Sequence, residues 1–251
     1  MVSFIGAGPG DPELLTIKGK RIIDSADVII YAGSLVNPQV LEGVKKDAVI
    51  YNSAKMNLDE VIEVIKDAEG RGLKVARVHT GDPAIFGAHR EQMDRLDELG
   101  IEYEVIPGVS SFLAAAAVLK KEYTLPGVSQ TVILTRMEGR TPMPPREKLV
   151  ELAQHNSTMI IFLSAGMLEE MSAVLRQAYK PETPVAVVYK ATWEDQKIVY
   201  GDLTNIAERV KEAGIYKTAL TVVGDFLGNE YDLSKLYDKT FTTEFRKGVI
   251  D

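Results

Sequence analysis

The chain has 251 residues, 45% of them hydrophobic and 26% charged, enough for one large or two modest domains whose core needs no covalent staples. Cysteine is absent, which excludes disulfides, thiolate metal sites and cysteine nucleophiles; the three histidines (His79, His89, His155) form no close pair in sequence, which argues against a histidine metal cluster. A net charge of −7 argues against nucleic acid as partner, yet leaves room for a local basic cleft that takes a small anion.

Residues 2–5 are an apolar run that enters the glycine turn Gly6-Ala7-Gly8-Pro9-Gly10-Asp11-Pro12 directly, so they read as a first strand. No basic region precedes an apolar segment there, and no run is long enough to cross a bilayer, so a soluble cytoplasmic protein is expected. Residues 13–26 carry Leu15, Ile22, Ile23 and Ala26 at helical spacing. Strand-like runs follow at 28–31, 48–51, 74–78 and 102–106. Between them, 58–69 and 87–99 have helical patterns, the first behind Asn57 as N-cap. This alternation predicts an open parallel sheet.

The small-residue loop Pro107-Gly108-Val109-Ser110 leads into an alanine-rich helix at 111–119, and residues 120–130 read as a connector. A second set of strands is predicted at 131–135, 159–163, 184–189, 197–201 and 220–224, with helices at 146–154, 167–178 and 203–213. The short connection around Trp193 predicts a hairpin and a mixed sheet. Two α/β domains are therefore expected, at 1–115 and 126–228, with 229–251 as a polar peripheral tail. There is no internal repeat.

The first glycine turn is not a dinucleotide fingerprint. G-x-G-x-x-G requires glycine at position 11, where Asp11 stands, and Pro9 removes a backbone N–H from any phosphate cradle. The second strand ends in Tyr31-Ala32-Gly33, with no carboxylate to hold a ribose. On turn chemistry alone, a ligand-free strand-to-helix turn fits as well as a binding loop. A second loop, His79-Thr80-Gly81-Asp82-Pro83-Ala84-Ile85-Phe86-Gly87, also follows a strand and precedes a helix. Asp82 is read as a holder of local backbone amides ahead of any catalytic role, and His79 as a hydrogen-bonded strand-end residue. With Pro107-Gly108-Val109-Ser110-Ser111, three such loops share one rim, at the strand ends where open α/β sheets bind ligands.

Together these three loops resemble the tetrapyrrole methyltransferase family, whose members use S-adenosylmethionine. The resemblance runs in order to about Gly228. Within the family, Tyr31-Ala32-Gly33-Ser34-Leu35-Val36, Thr135-Arg136-Met137-Glu138-Gly139-Arg140-Thr141-Pro142 and Val188-Tyr189-Lys190-Ala191-Thr192-Trp193 are similar to the branch that methylates C11 of precorrin-4 or its cobalt form. The resemblance implies two α/β domains, a cofactor cleft between them and a homodimer. It implies that the cofactor meets Pro9, Thr80, Gly81, Asp82, Ile85, Phe86, Ser110 and Ser111. From the later part of the chain it would meet Leu163, Ala191, Thr192, Thr218, Ala219 and Leu220. Leu163 replaces the family's methionine there and keeps an apolar wall, while Thr218 replaces a frequent proline.

The implied substrate is an anionic macrocycle, whose carboxylates suit arginine. Arg136 and Arg140 are the first candidates, with Lys190, Tyr31 and Ser34 beside them; Arg77, Arg90 and Arg146 are further candidates, each with a solvated surface charge as the plain alternative. Met137 fits core packing as well as a substrate wall. No metal and no catalytic base is assigned, though Glu138 and Asp82 are carboxylates in the relevant segments. Two other readings stay open: another tetrapyrrole methyltransferase, such as one acting on uroporphyrinogen III, and a non-catalytic protein that binds the cofactor or a tetrapyrrole.

Overall fold

A computed structural model describes residues 1–249, so the last two positions of the expected tail lie outside the described residues. The chain divides into two compact units. The first comprises Met1–Val118 with Lys190–Lys197, the second Leu119–Tyr189 with the chain from Ile198 onward.

In the first unit, β1 (Val2–Gly6), β2 (Val28–Tyr31), β3 (Val49–Asn52), β4 (Val75–His79) and β5 (Tyr103–Ile106) form one sheet in the order β3-β2-β4-β1-β5. Every pairing is parallel. Both faces are covered, which is why these strands read as continuous apolar runs rather than alternating ones. One face buries Ile5, Ile29, Ala76 and Val78 with Ile23 of helix α1 (Ile17–Ser25). The other buries Val2, Phe4 and Ile30 with Ile65 of α2 (Leu58–Gly70) and Leu96 of α3 (Arg90–Leu99). β1 and β4 are neighbours, yet β1 leads into α1 on one face and β4 leads to α3 on the other. That reversal is a topological switch point, the kind of place beyond the strand ends where open α/β sheets bind ligands.

Four helices start three or four residues later than expected; the two in this unit do so for local reasons. Residues 13–26 are not one helix: a 3-10 turn at Pro12–Leu14 is capped by Asp11, and α1 starts afresh where the Thr16 side chain accepts from the Gly19 N–H at 3.0 Å. α3 begins at Arg90 rather than Gly87 because Ala88, at φ 46°, cannot continue a right-handed helix. After β5, the alanine-rich segment forms α4 (Ser111–Leu119) as expected.

The second unit carries β6 (Val132–Arg136), β7 (Thr158–Phe162), β8 (Pro184–Tyr189), β9 (Lys197–Asp202) and β10 (Ala219–Val223) in the order β6-β7-β10-β8-β9. β6 runs parallel to β7, while β10 runs antiparallel to both β7 and β8, so this sheet is mixed. Helices α5 (Leu149–Ala153), α6 (Leu168–Leu175) and α7 (Ile206–Glu212) cover one face, where Met159, Ile161 and Val187 meet Met171, Leu175 and Ile206. Residues 229–249 are largely exposed and hold one 3-10 turn, Lys235–Tyr237.

The start of α2 is a full capping box, with the Asn57 side chain accepting from the Glu60 N–H at 2.9 Å and Glu60 accepting from the Asn57 N–H at 2.8 Å. Asn57→Ala removes the first of these and is expected to cost about 1 kcal/mol. Calorimetry should show a melting temperature lower by about 2–4 °C.

Candidate active site

The three small-residue loops of the first unit meet backbone to backbone. Gly8 and Gly81 exchange N–H···O=C bonds of 3.2 and 2.8 Å. A Cβ on Gly6 would lie 2.6 Å from both the Gly108 Cα and the Gly81 carbonyl oxygen, closer than any side chain tolerates. Asp82 ties the second loop to the third: one carboxylate oxygen accepts from the Gly108 N–H at 2.8 Å and the other from the Ala84 N–H at 2.8 Å. Its oxygens are thereby engaged with amides, the structural role that its position after a glycine suggested.

The first turn is held from outside by the segment Lys190–Lys197. Trp193 donates its indole N–H to the Pro9 carbonyl at 2.9 Å, and its ring occupies the space a Cβ on Gly10 would need. The Asp11 N–H donates to the Thr192 hydroxyl at 3.0 Å, and Asp11 caps the following turn through the Glu13 N–H at 2.9 Å. This is why aspartate stands where a dinucleotide fold would have glycine. Lys190 is already engaged: its ammonium pairs with Asp195 at 2.6 Å and lies 4.9 Å from the centre of the Trp193 ring.

Backbone strain marks the same positions. Among the described residues, eight that are not glycine have positive φ, and five of them (Phe86, Leu163, Lys190, Thr192, Thr218) belong to the expected binding set. Threonine is β-branched, so φ of 70° at Thr192 and 57° at Thr218 are genuine outliers that the surrounding fold must enforce. Phe86 and Leu163 are also 51% and 70% exposed, an unfavourable place for large apolar side chains unless something lies against them.

In the second unit, register brings the expected residues to one end of the sheet. Arg136 closes β6 opposite Phe162, Leu163 follows β7, and Ala219 opens β10 opposite Tyr189. Arg136 departs from its expected role. Its guanidinium donates to the carbonyls of Met137 (3.1 Å), Thr141 (3.0 Å) and Pro142 (3.1 Å), so it folds its own loop rather than standing ready for a carboxylate. Met137 is buried in the core with Met159 and Ile161, which settles it as packing. Arg140 and Glu138 are exposed on that loop, as is Ser34 on the rim of the first sheet; Tyr31 is half-buried.

Residues 1–207 match the family profile described as tetrapyrrole (corrin/porphyrin) methylases. The chain belongs to this family. It is 60% identical over 248 residues to the cobalt-precorrin-4 C(11)-methyltransferase of Methanocaldococcus jannaschii, an alignment covering 98% of this chain and 96% of the relative. The X-ray structure of the cobalt precorrin-4 methyltransferase CbiF superposes with a TM-score of 0.89 at 44% identity, covering 91% of this chain and 96% of the other. The uroporphyrin-III C-methyltransferase of Thermus thermophilus, solved with S-adenosylhomocysteine, gives a TM-score of 0.75 at 27% identity, covering 90% and 92%.

Behind the second loop this methylase keeps a buried polar group that the sequence did not disclose. Arg77 is 5% exposed, which overturns it as a substrate ligand; its guanidinium bonds Gln92 at 2.9 Å and two backbone carbonyls. His79 closes β4 at 4% exposure and hydrogen-bonds to the Gly87 backbone, with Nε2 unpartnered. Its ring centre is 5.8 Å from that of His89, so two histidines ten positions apart do meet; among the described residues no third ligand joins them into a metal site. Burial pushes the His79 imidazole down to about 3, and the nearby charges of Arg77 and His89 push the same way. No helix among the described residues is long and apolar enough to cross a membrane.

Two consequences are measurable. An unfolded histidine takes its proton near pH 6.5, but folded His79 resists it until about 3, so stability is present above the unfolded value and is lost as pH falls through that window. The wild type should lose about 2 kcal/mol between pH 7 and pH 5 from this residue, a slope that denaturant titrations should find reduced in His79→Gln. Gly10→Ala forces a methyl group into the Trp193 ring and should destabilise the fold by about 1–3 kcal/mol, read by the same titration.

Proposed function

We propose that this protein transfers the methyl group of S-adenosylmethionine to C11 of cobalt-precorrin-4, or of precorrin-4, in corrin-ring synthesis. What carries the reading is 60% identity over nearly the whole chain to a methyltransferase of that name, beside positive φ at four of the positions that the resemblance gives to the donor, Phe86, Leu163, Thr192 and Thr218. The bound donor supplies a sulfonium methyl group activated without metal or covalent catalysis. Transfer would use an electron pair of the macrocycle to form the bond to C11, the donor would leave as a neutral thioether, and the positive charge passed to the macrocycle would be released as a proton.

The chain's own task is then placement. On the first unit, Pro9, Thr80, Gly81, Asp82, Ile85, Phe86, Ser110, Ser111, Ala191 and Thr192 hold the donor, mostly through backbone. Exposed Phe86 offers it an apolar face, and glycines let the backbone come close. Leu163, Thr218, Ala219 and Leu220 are the second unit's positions that the resemblance gives to the donor, and Leu163 offers an exposed apolar side chain there. Alignment of donor and acceptor in this manner supplies on the order of 7–11 kcal/mol of the barrier reduction. Tyr31, Ser34 and Arg140 take the substrate's polar edge; Arg136 and Lys190 act on it through the loops they hold. We also infer a cytoplasmic homodimer, from the family resemblance.

A different substrate within the family is the competing reading. The protein should be incubated with methyl-labelled S-adenosylmethionine and, separately, cobalt-precorrin-4, precorrin-4 and uroporphyrinogen III, with the labelled carbon located by NMR. Label at C11 of either precorrin-4 form, and none on uroporphyrinogen III, is the expected result. Label on uroporphyrinogen III alone would overturn the assignment while leaving a methyltransferase. Binding of S-adenosylhomocysteine without transfer to any of the three would favour a non-catalytic binder.

A further inference from the structure

The loop after β4 contains two non-glycine residues in the left-handed region, Phe86 (φ 53°) and Ala88 (φ 46°), on either side of Gly87. Gly87 itself is packed against the Pro83 backbone so closely that no Cβ fits. A winding of this kind reverts to ordinary backbone unless something holds it. Beside the His79 bond to the Gly87 backbone, the buried pair Gln92 and Arg77 holds it. The Gln92 carboxamide donates through Nε2 to the Ala88 carbonyl at 3.0 Å and accepts through Oε1 from the Arg77 Nε–H at 2.9 Å. Arg77 is in turn pinned to the sheet by the carbonyls of Ile30 (3.2 Å) and Val78 (3.3 Å).

Among the described residues no carboxylate pairs with Arg77, although burying a guanidinium is costly. Glutamate at position 92 would meet that charge better than glutamine does. Only an amide, however, also presents a donor to the Ala88 carbonyl. The chain therefore carries at position 92 the side chain that serves the loop, at the expense of the one that would best serve the arginine.

We propose that Gln92, anchored by Arg77, is a positioning residue for the donor-binding loop: it fixes residues 85–88 so that Ile85 and Phe86 stand ready for S-adenosylmethionine. This rests on the donor assignment made above. The Gln92–Ala88 bond is made to the loop's backbone and not to the exposed Phe86 side chain, so Gln92 acts through the backbone and touches no reacting atom.

Gln92→Glu separates this role from plain core packing. It retains an acceptor for Arg77 and sets a carboxylate oxygen against the Ala88 carbonyl. Two readouts are needed: hydrogen–deuterium exchange of residues 81–88 in the ligand-free protein, and calorimetric affinity for S-adenosylhomocysteine. We expect the melting temperature to hold, exchange in that loop to rise, and affinity to fall about tenfold, the effect of one lost hydrogen bond. Adding Ala88→Gly should recover part of the affinity, because glycine adopts positive φ without being held. Unchanged loop exchange with affinity within about twofold of wild type would overturn the proposal, since that is less than a lost hydrogen bond. If the wild type binds no S-adenosylhomocysteine, the donor assignment fails, and loop exchange alone decides the role of Gln92. Should Gln92→Glu not fold, Gln92→Met removes the donor as well, and unchanged exchange there would equally overturn the proposal.

Discussion

The first unit depends on a steric constraint: three backbones share a space that admits no side chain. Gly6, Gly81 and Gly108 come from three different loops, and a methyl group on Gly6 would collide with both of the others. The contact brings the ends of β1, β4 and β5 close enough for Asp82 to bridge two loops with one carboxylate. Because β1 and β4 send their chains to opposite faces, this same point is where the sheet opens. A rim without bulk at its centre suits the donor site proposed above, whose ligand is oriented more than chemically attacked.

A second pattern concerns where positive charge goes. An anionic macrocycle invites the expectation that arginines and lysines near the strand ends face outward. Three that were considered for that work do something else first. Arg136 gathers three carbonyls of its own loop, Lys190 pairs with Asp195 against the Trp193 ring, and Arg77 is buried behind the second loop. A guanidinium offers five donors in a fixed fork, so it organises irregular backbone as readily as it binds carboxylates.

The strands were legible because strands buried on both faces leave long apolar runs, and all ten lie within one residue of their expected bounds, whereas five of the seven helices miss an expected bound by three or four residues. Helix starts were less so: residues 13–26 carry a continuous apolar stripe, yet Thr16 caps and restarts the helix inside it. In the site, spacing disclosed the three loops and resemblance supplied their ligand. Neither disclosed Arg77 as buried, since an arginine inside Lys74-Val75-Ala76-Arg77-Val78 reads as an outward-facing residue of a half-exposed strand. Nor does a separation of ten residues reveal that His79 and His89 pack together. Both facts arise from the path of the loop between β4 and α3, which depends on left-handed residues at Phe86 and Ala88 that composition does not mark.

Finally, the segment Lys190–Lys197 joins two adjacent strands of the second sheet, yet belongs to the first compact unit. The chain therefore does not divide into two halves at any single peptide bond. A fragment ending at Val118 would keep all five strands of its sheet and lose Trp193, Thr192 and their hold on Pro9, Gly10 and Asp11. The cut would thus remove the turn's outer wall while leaving its scaffold. Gene fusion, splitting or circular permutation of this protein is constrained accordingly: new termini are compatible with the glycine turn only where β8, the segment Lys190–Lys197 and β9 remain one continuous piece of chain.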